Sequence, residues 1–288
     1  MSILTTPAQL RESIYHADNQ IVLASYWVPH QKPGLSGYNS AGLAAFNSEH
    51  IPTSLFCDPS SALAAVPGSG SGRNPMPSLD SLSRWFQAWG LRENRSVLVY
   101  DHGKGLFAAR AWWMLRWAGV QDVRILDGGL AAWDKAGYPV LAGPGNIQSS
   151  ANITPQPGNL PLATMDDVRD FRGVLVDARE PNRYHGRKEI FDLKAGHIPG
   201  AINIPSRDLV NEDHTYKTPE QIRERFAREG LSGEEEMIVY SGSGNHSSQA
   251  LVAMHLAGMS GAAHYVGGWS QWSANPANPI AYPVNQPL

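Results

Sequence analysis

The chain repeats itself once. Segment 50–59, His-Ile-Pro-Thr-Ser-Leu-Phe-Cys-Asp-Pro, is similar to 197–206, His-Ile-Pro-Gly-Ala-Ile-Asn-Ile-Pro-Ser, at an offset of 147 residues. Val97-Leu98-Val99-Tyr100 returns as Met237-Ile238-Val239-Tyr240 at an offset of 140. Leu126-Asp127-Gly128-Gly129, then Trp133, returns as Tyr265-Val266-Gly267-Gly268, then Trp272, at 139. The order is kept and the offset drifts slowly, as loops of unequal length require. Solenoid repeats run about 20–50 residues. A period near 140 in a chain of 288 therefore predicts two tandem domains of one fold.

Short apolar runs predict strands at 20–25, 54–57, 96–100 and 122–126, and again at 173–177, 201–204, 236–240 and 263–266. Helices fall between them. Thr218-Pro219-Glu220-Gln221 combines an N-cap, a first-turn Pro and a Gln three residues on. A second start follows Pro77-Ser78, with Leu79, Leu82, Phe86 and Trp89 on one stripe. Strands apolar on both faces, alternating with helices, imply an α/β fold in which each half is a small parallel sheet flanked by helices. Stretch 141–161 is rich in Gly, Pro, Asn and Ser. The division expected is a domain at 1–145, a linker at 146–162 and a domain at 163–288.

Composition narrows the function classes. Net charge is −3 and the pI is near 6.4, which argues against a nucleic-acid or anionic-membrane surface. The most apolar stretch, Phe107 to Val120, is broken by Arg110 and Arg116, so no membrane helix is expected. Met1 to Thr6 shows neither a basic leader nor an apolar core, giving the expectation of no signal peptide. The single cysteine, Cys57, excludes an intrachain disulfide framework and thiolate-rich metal sites. A cytoplasmic location is expected, with no metal and no cofactor.

In open α/β sheets, ligands bind beyond the carboxyl ends of the strands. Strand 236–240 runs into Ser241-Gly242-Ser243-Gly244-Asn245-His246 and then an apolar helix. Small residues between strand and helix let backbone N–H groups converge, and the helix N-terminus adds partial positive charge. Ser241 would place its side chain at the centre of that anion cradle, unless the loop is an ordinary tight turn.

These segments together resemble the tandem-domain rhodaneses, the thiosulfate and 3-mercaptopyruvate sulfurtransferases. The resemblance rests on Gly196-His197-Ile198-Pro199-Gly200-Ala201, on Tyr240 to Gly244, and on Tyr265 to Ser273. In the first half it rests on Trp112 to Arg116 and Leu126 to Trp133. It implies two rhodanese-like domains, the first non-catalytic and the second carrying the active-site loop. It also implies a transferase whose loop begins with a cysteine. That thiolate takes a sulfane sulfur from a small anionic donor as a persulfide and passes it to cyanide or a thiol acceptor. No nucleic-acid or membrane partner is implied.

Here the loop begins with Ser241. An alcohol forms no persulfide, so sulfur transfer is expected to be inactive in this form. Two origins fit: a deliberate exchange of the family's cysteine, or a natural member that has lost the activity. The intact Gly242-Ser243-Gly244 favours the exchange and resembles loops of the mercaptopyruvate type, though the donor stays open. Substrate positions carry over from the family one at a time. Arg183, in Arg183-Tyr184 after Asp177-Ala178-Arg179, matches the arginine that grips the donor. Arg187 lies where a second arginine is expected but lacks the family's context, so a solvated loop is the competing reading. Asp58 matches an aspartate after the His-Ile-Pro strand, and Asn74 stands where the family has a histidine. In the first half, Asp101 holds the nucleophile's place.

Three rivals share some of these features. A phosphatase of related fold needs Cys and, six positions on, Arg; this chain has Ser241 and Ser247. A serine hydrolase needs glycines where Val239 and Ser243 stand; His246 could serve as a base, but a first-turn histidine is more often a surface or capping group. A naturally inactive rhodanese-like module that binds anions or partner proteins is the alternative to the enzyme.

Overall fold

The computed structural model describes residues 2–14, 20–28, 41–147 and 150–282. They form two compact units. The first comprises Met1–Ala65, Pro77–Asn159 and Glu212–Thr215; the second comprises Val66–Met76, Leu160–Asn211 and Tyr216–Leu288. Segment Val66–Met76, from the first half of the sequence, thus belongs to the second unit.

The first unit runs β1 (Leu4–Thr5), α1 (Pro7–Ser13), β2 (Gln20–Ser25), α2 (Ala41–Ser48), β3 (Leu55–Cys57), α3 (Leu79–Ala88), β4 (Ser96–Tyr100), α4 (Leu106–Trp117), β5 (Val123–Leu126) and α5 (Gly129–Lys135). Its parallel sheet has the order β1-β5-β4-β2-β3. The second unit runs α6 (Met165–Asp170), β6 (Val174–Asp177), α7 (Pro181–Tyr184), β7 (Ile202–Asn203), α8 (Pro219–Ala227), β8 (Met237–Tyr240), α9 (Asn245–Leu256), β9 (Ala263–Tyr265) and α10 (Gly268–Trp272). Its parallel sheet has the order β7-β6-β8-β9. Read in reverse, the first order matches the second with β1 added. A trace of that extra strand persists as a parallel bridge between Leu162 and His264.

Each strand expected from an apolar run is present, some trimmed by a residue at an end. β1 escapes the pattern because two residues carry no period. Ser78 caps α3, and Thr218 with Gln221 closes a capping box on α8, as their spacing predicts. Helices α4 and α9 are buried over most of their length, which explains why they read as apolar all round. Among the described residues, no helix is long and apolar enough to cross a membrane. The Gly- and Pro-rich stretch after Gly145 has no helix or strand before residue 162, and positions 148 and 149 lie outside the described residues. Its backbone is nevertheless tied to the first unit, by Asn152 N–H to Leu91 O (3.0 Å) and Gln156 N–H to Ala118 O (2.8 Å).

The repeated motifs are one set of bonds made twice. Tyr100 Oη accepts from Ile51 N–H at 3.0 Å, and Tyr240 Oη accepts from Ile198 N–H at 3.2 Å. His50 stacks on Phe46 at 4.2 Å, and His197 stacks on Tyr184 at 3.8 Å. Both histidines are buried and use their main chains in short antiparallel bridges, to Leu141 and Ala281. Trp133 donates to Pro139 O, and Trp272 to Pro279 O. The second glycine of each Gly-Gly pair is left-handed, with φ of 58° at Gly129 and 55° at Gly268. A Cβ on Gly129 would lie 2.6 Å from Asp101 O, and one on Gly268 only 2.2 Å from Ser241 O. Glycine is required there by both conformation and space.

Gly268→Ala is therefore expected to destabilise the protein by about 3 kcal/mol or more, since strain and overlap combine. Gly258→Ala, at φ 82° but with no atom within 4 Å of the added Cβ, should cost only about 1–2 kcal/mol. Urea midpoints of the two variants test this; equal losses would mean the close approach to Ser241 is not limiting.

Candidate active site

The turn from β8 to α9 begins at Ser241 and ends at Gly244, which caps α9 in a left-handed conformation at φ 90°. Its outer side is pinned by α10: Trp269 N–H donates to Ser241 O at 2.7 Å, and Ser270 N–H to Gly242 O at 2.9 Å. With those carbonyls held outside, Gly244 N–H turns inward and donates to Ser241 Oγ at 3.1 Å. Ser241 Oγ also shares a hydrogen bond with Ser247 Oγ at 3.1 Å, and Ser247 Oγ lies 2.7 Å from His264 Nε2. All three side chains are fully buried. This hydroxyl–hydroxyl–imidazole chain can carry a proton between the loop centre and His264.

Cations stand at the other side of the loop. An ideal Cβ on Gly242 would meet Arg183 Nη1 and Arg73 Nη2, each at 2.8 Å, so a side chain there would displace both guanidiniums. Arg183 sits on α7, which Pro181 starts. Its Nη2 donates to both Glu189 oxygens at 2.9 Å and to Asp192 at 2.6 Å. Arg73 pairs with the other oxygen of Asp192. Its segment is anchored to α10 through Arg73 N–H to Ser270 Oγ at 3.1 Å and Gln271 Nε2 to Gly70 O at 2.8 Å. Burial raises the Glu189 carboxyl, but the Phe191 N–H and Arg183 outweigh it and hold the group below its ordinary range. Arg179 lies deeper. It pairs with buried Asp177 at 2.6 Å, donates to Gly196 O at 2.8 Å and lies over the Trp269 ring at 4.7 Å.

The structure brings some of the expected residues to the loop and leaves others apart. Asn74 Nδ2 donates to Ser243 Oγ at 3.0 Å and to Ser243 O at 3.3 Å. Arg183 lies against Gly242, as described. Asn245 and His246 form the first turn of α9, half-buried. The Arg187 side chain is exposed, and its N–H closes a turn onto Asn182 O at 2.9 Å. Asp58 belongs to the first unit, where Oδ1 accepts from Ser60 N–H at 2.9 Å and Ser60 Oγ at 2.7 Å. Cys57 is fully buried, and burial pushes its thiol well above the ordinary range, as suits a small core residue.

The first unit has its own version of the loop. There the Asp101 carboxylate accepts four backbone N–H groups: Gly103 and Gly105 at one oxygen, Phe107 and Ala108 at the other, all at 3.0–3.1 Å. Asp101 is 1% exposed. That cradle holds an anion built into the chain.

Sequence reasoning missed Arg73, Glu189, Asp192 and His264, and noted Ser247 only as standing where a phosphatase would have arginine. A weak signal existed for two of them. Arg73 is the one Lys or Arg between Lys32 and Arg84, set in a glycine-rich run, and His264 is a polar residue inside an apolar strand.

Comparison with known proteins agrees with two similar domains. Residues 42–136 and 161–275 each match the family model described as "Rhodanese-like domain". The chain is 38% identical over 252 residues to a probable 3-mercaptopyruvate sulfurtransferase of Pseudomonas aeruginosa, covering 84% of this chain and 87% of the other. It is 33% identical over 290 residues to a putative thiosulfate sulfurtransferase of Mycobacterium tuberculosis, covering 96% of each. Among solved structures, the SseA 3-mercaptopyruvate sulfotransferase of Escherichia coli superposes with a TM-score of 0.80 at 26% identity, over 94% of this chain and all of that one. Two matching domains, each with its own sheet and loop, and relatives aligned along most of their length lead to one conclusion: the chain belongs to the rhodanese family.

Proposed function

We propose that this chain is a sulfurtransferase-type rhodanese whose second unit carries the working loop and whose first unit is non-catalytic. The observation that carries the reading is the placement of Ser241 Oγ, bonded to the N-cap N–H of α9 at 3.1 Å beside a glycine that meets two guanidiniums. The partial positive charge at the head of α9 favours an anion at this point. With a cysteine there, the thiolate would attack the outer sulfur of thiosulfate. A new S–S bond forms, the donor's S–S bond breaks, and sulfite leaves with the electron pair. Cyanide or a thiolate then takes the outer sulfur and restores the thiolate. For 3-mercaptopyruvate the C–S bond breaks instead, and the electron pair leaves as the enolate of pyruvate, which then takes a proton at carbon. The named activities of the relatives support both donors. A cytoplasmic setting belongs to the same reading.

With Ser241 in place the first step has no sulfur nucleophile, so this form binds the donor without taking its sulfur. A second reading is a naturally inactive, anion-binding member. The bond from Asn74 to Ser243 favours it. A deliberate exchange at position 241 leaves Asn74 unexplained, whereas two departures that fit one loop suit a site settled into binding.

Ser241→Cys is expected to gain ~32 Da on incubation with thiosulfate or 3-mercaptopyruvate, and to release thiocyanate with cyanide, because the cradle would activate the thiol. The unaltered chain should show neither signal. If the folded variant shows neither, the binding reading prevails. In the Ser241→Cys background, Arg183→Lys keeps the charge but loses the fork. It should raise KM for thiosulfate by about tenfold with kcat nearly unchanged. A fall in kcat alone would remove Arg183 from donor binding.

A further inference from the structure

The guanidiniums over Gly242 already hold an anion, and the chain supplies it. One Asp192 oxygen pairs with Arg73 and the other with Arg183, and the Asp192 side chain is 2% exposed. Glu189 takes the remaining edge of Arg183. Arg73, Arg179 and Arg183 are balanced by Asp177, Glu189 and Asp192, so the cluster carries no net charge. A neutral cluster draws an external anion only weakly; with Asp192 withdrawn it would be positive by one charge. The segment that carries Asp192 is suited to withdraw. Its neighbours Phe191 and Leu193 are 63% and 79% exposed, so what holds it is the Phe191 ring beside the two guanidiniums and two N–H bonds to Glu189, rather than core packing. A groove of about 260 Å³, lined by Gly72, Arg73, Phe191, Asp192, Leu193 and Ser270, adjoins the pair.

We propose that Arg73 and Arg183 form a two-guanidinium clamp for small sulfur-containing anions, and that Asp192 is its internal ligand, displaced when such an anion binds. The ligand class rests on the sulfurtransferase reading. The clamp itself rests on the geometry of Arg73, Arg183 and Asp192. Arg73, reaching the loop from segment Val66–Met76, supplies the second cation that exposed Arg187 does not. An internal ligand lowers apparent affinity by the fraction of molecules whose clamp is open.

Because Ser241 prevents turnover, thiosulfate binding can be measured at equilibrium in the protein as it exists, by calorimetry at constant ionic strength. Asp192→Asn should tighten thiosulfate binding by about fivefold or more. Arg73→Ala should weaken it by about tenfold or more. Unchanged or weaker binding in Asp192→Asn, with the variant's melting temperature near that of the parent, would show that Asp192 orients the arginines and would overturn the proposal. Asp192→Ser, which removes the carboxylate and frees space, must agree in direction with Asp192→Asn for the proposal to stand. The sulfur-transfer reading fails separately: tighter binding in Asp192→Asn with no persulfide in Ser241→Cys would keep the clamp and reject the enzyme.

Discussion

The second unit depends on how the carbonyls of one turn are held. Trp269 N–H grips Ser241 O at 2.7 Å and Ser270 N–H grips Gly242 O at 2.9 Å. A short turn has few ways to satisfy its backbone polar groups, and fixing the carbonyls outward decides where the N–H groups point. The grip needs the main chain of α10 to come against the turn, and Gly268 permits that approach. Burial of α9 behind the turn then places Ser247 between Ser241 and His264. The cradle, the buried proton path and the position of the cations at Gly242 all follow from this docking of backbone on backbone.

Much of this was legible in the sequence because the chain states its fold twice. The repeats of His-Ile-Pro, of the apolar strand ending in Tyr, and of Gly-Gly with its following Trp each correspond to bonds made in both units. A motif that must satisfy buried polar groups is constrained in residue type as well as hydropathy, so it survives divergence between the halves. The loop at Ser241 was legible for the same reason, since a strand, small residues and an apolar helix leave little choice of geometry. What escaped depends on long-range approach. Arg73 and Ser270 are 197 positions apart and meet through a bond that no local period records. Asp192 lies in a stretch that reads as an ordinary charged loop, and its charge is met by arginines supplied from other segments. β1 was missed because a two-residue strand has no pattern of its own.

The two units answer the same electrostatic demand differently. Converging N–H groups at the head of a buried helix require an acceptor, and each loop has one. In the first unit it is a full carboxylate, Asp101, fixed by four short bonds and held by the loop itself. In the second the loop residue is an uncharged hydroxyl, and the carboxylate arrives from a separate segment to pair with side-chain cations instead. A carboxylate bonded by its own turn has nowhere else to go. One carried on a segment with exposed neighbours can exchange places with another anion.

The Asp101 arrangement also bears on which residues can stand at the head of such a loop at all. Removing the side-chain acceptor there would strand inward-facing N–H groups away from water, at about 1–3 kcal/mol for each group left unmet. The tolerated set is thus small residues that keep a lone pair near the helix end. Serine belongs to that set, since Ser241 Oγ receives Gly244 N–H and reaches Ser247. Alanine would remove the acceptor. In this architecture the residue that heads the loop is also a structural plug, so the position must be filled with a heteroatom whatever chemistry is done there.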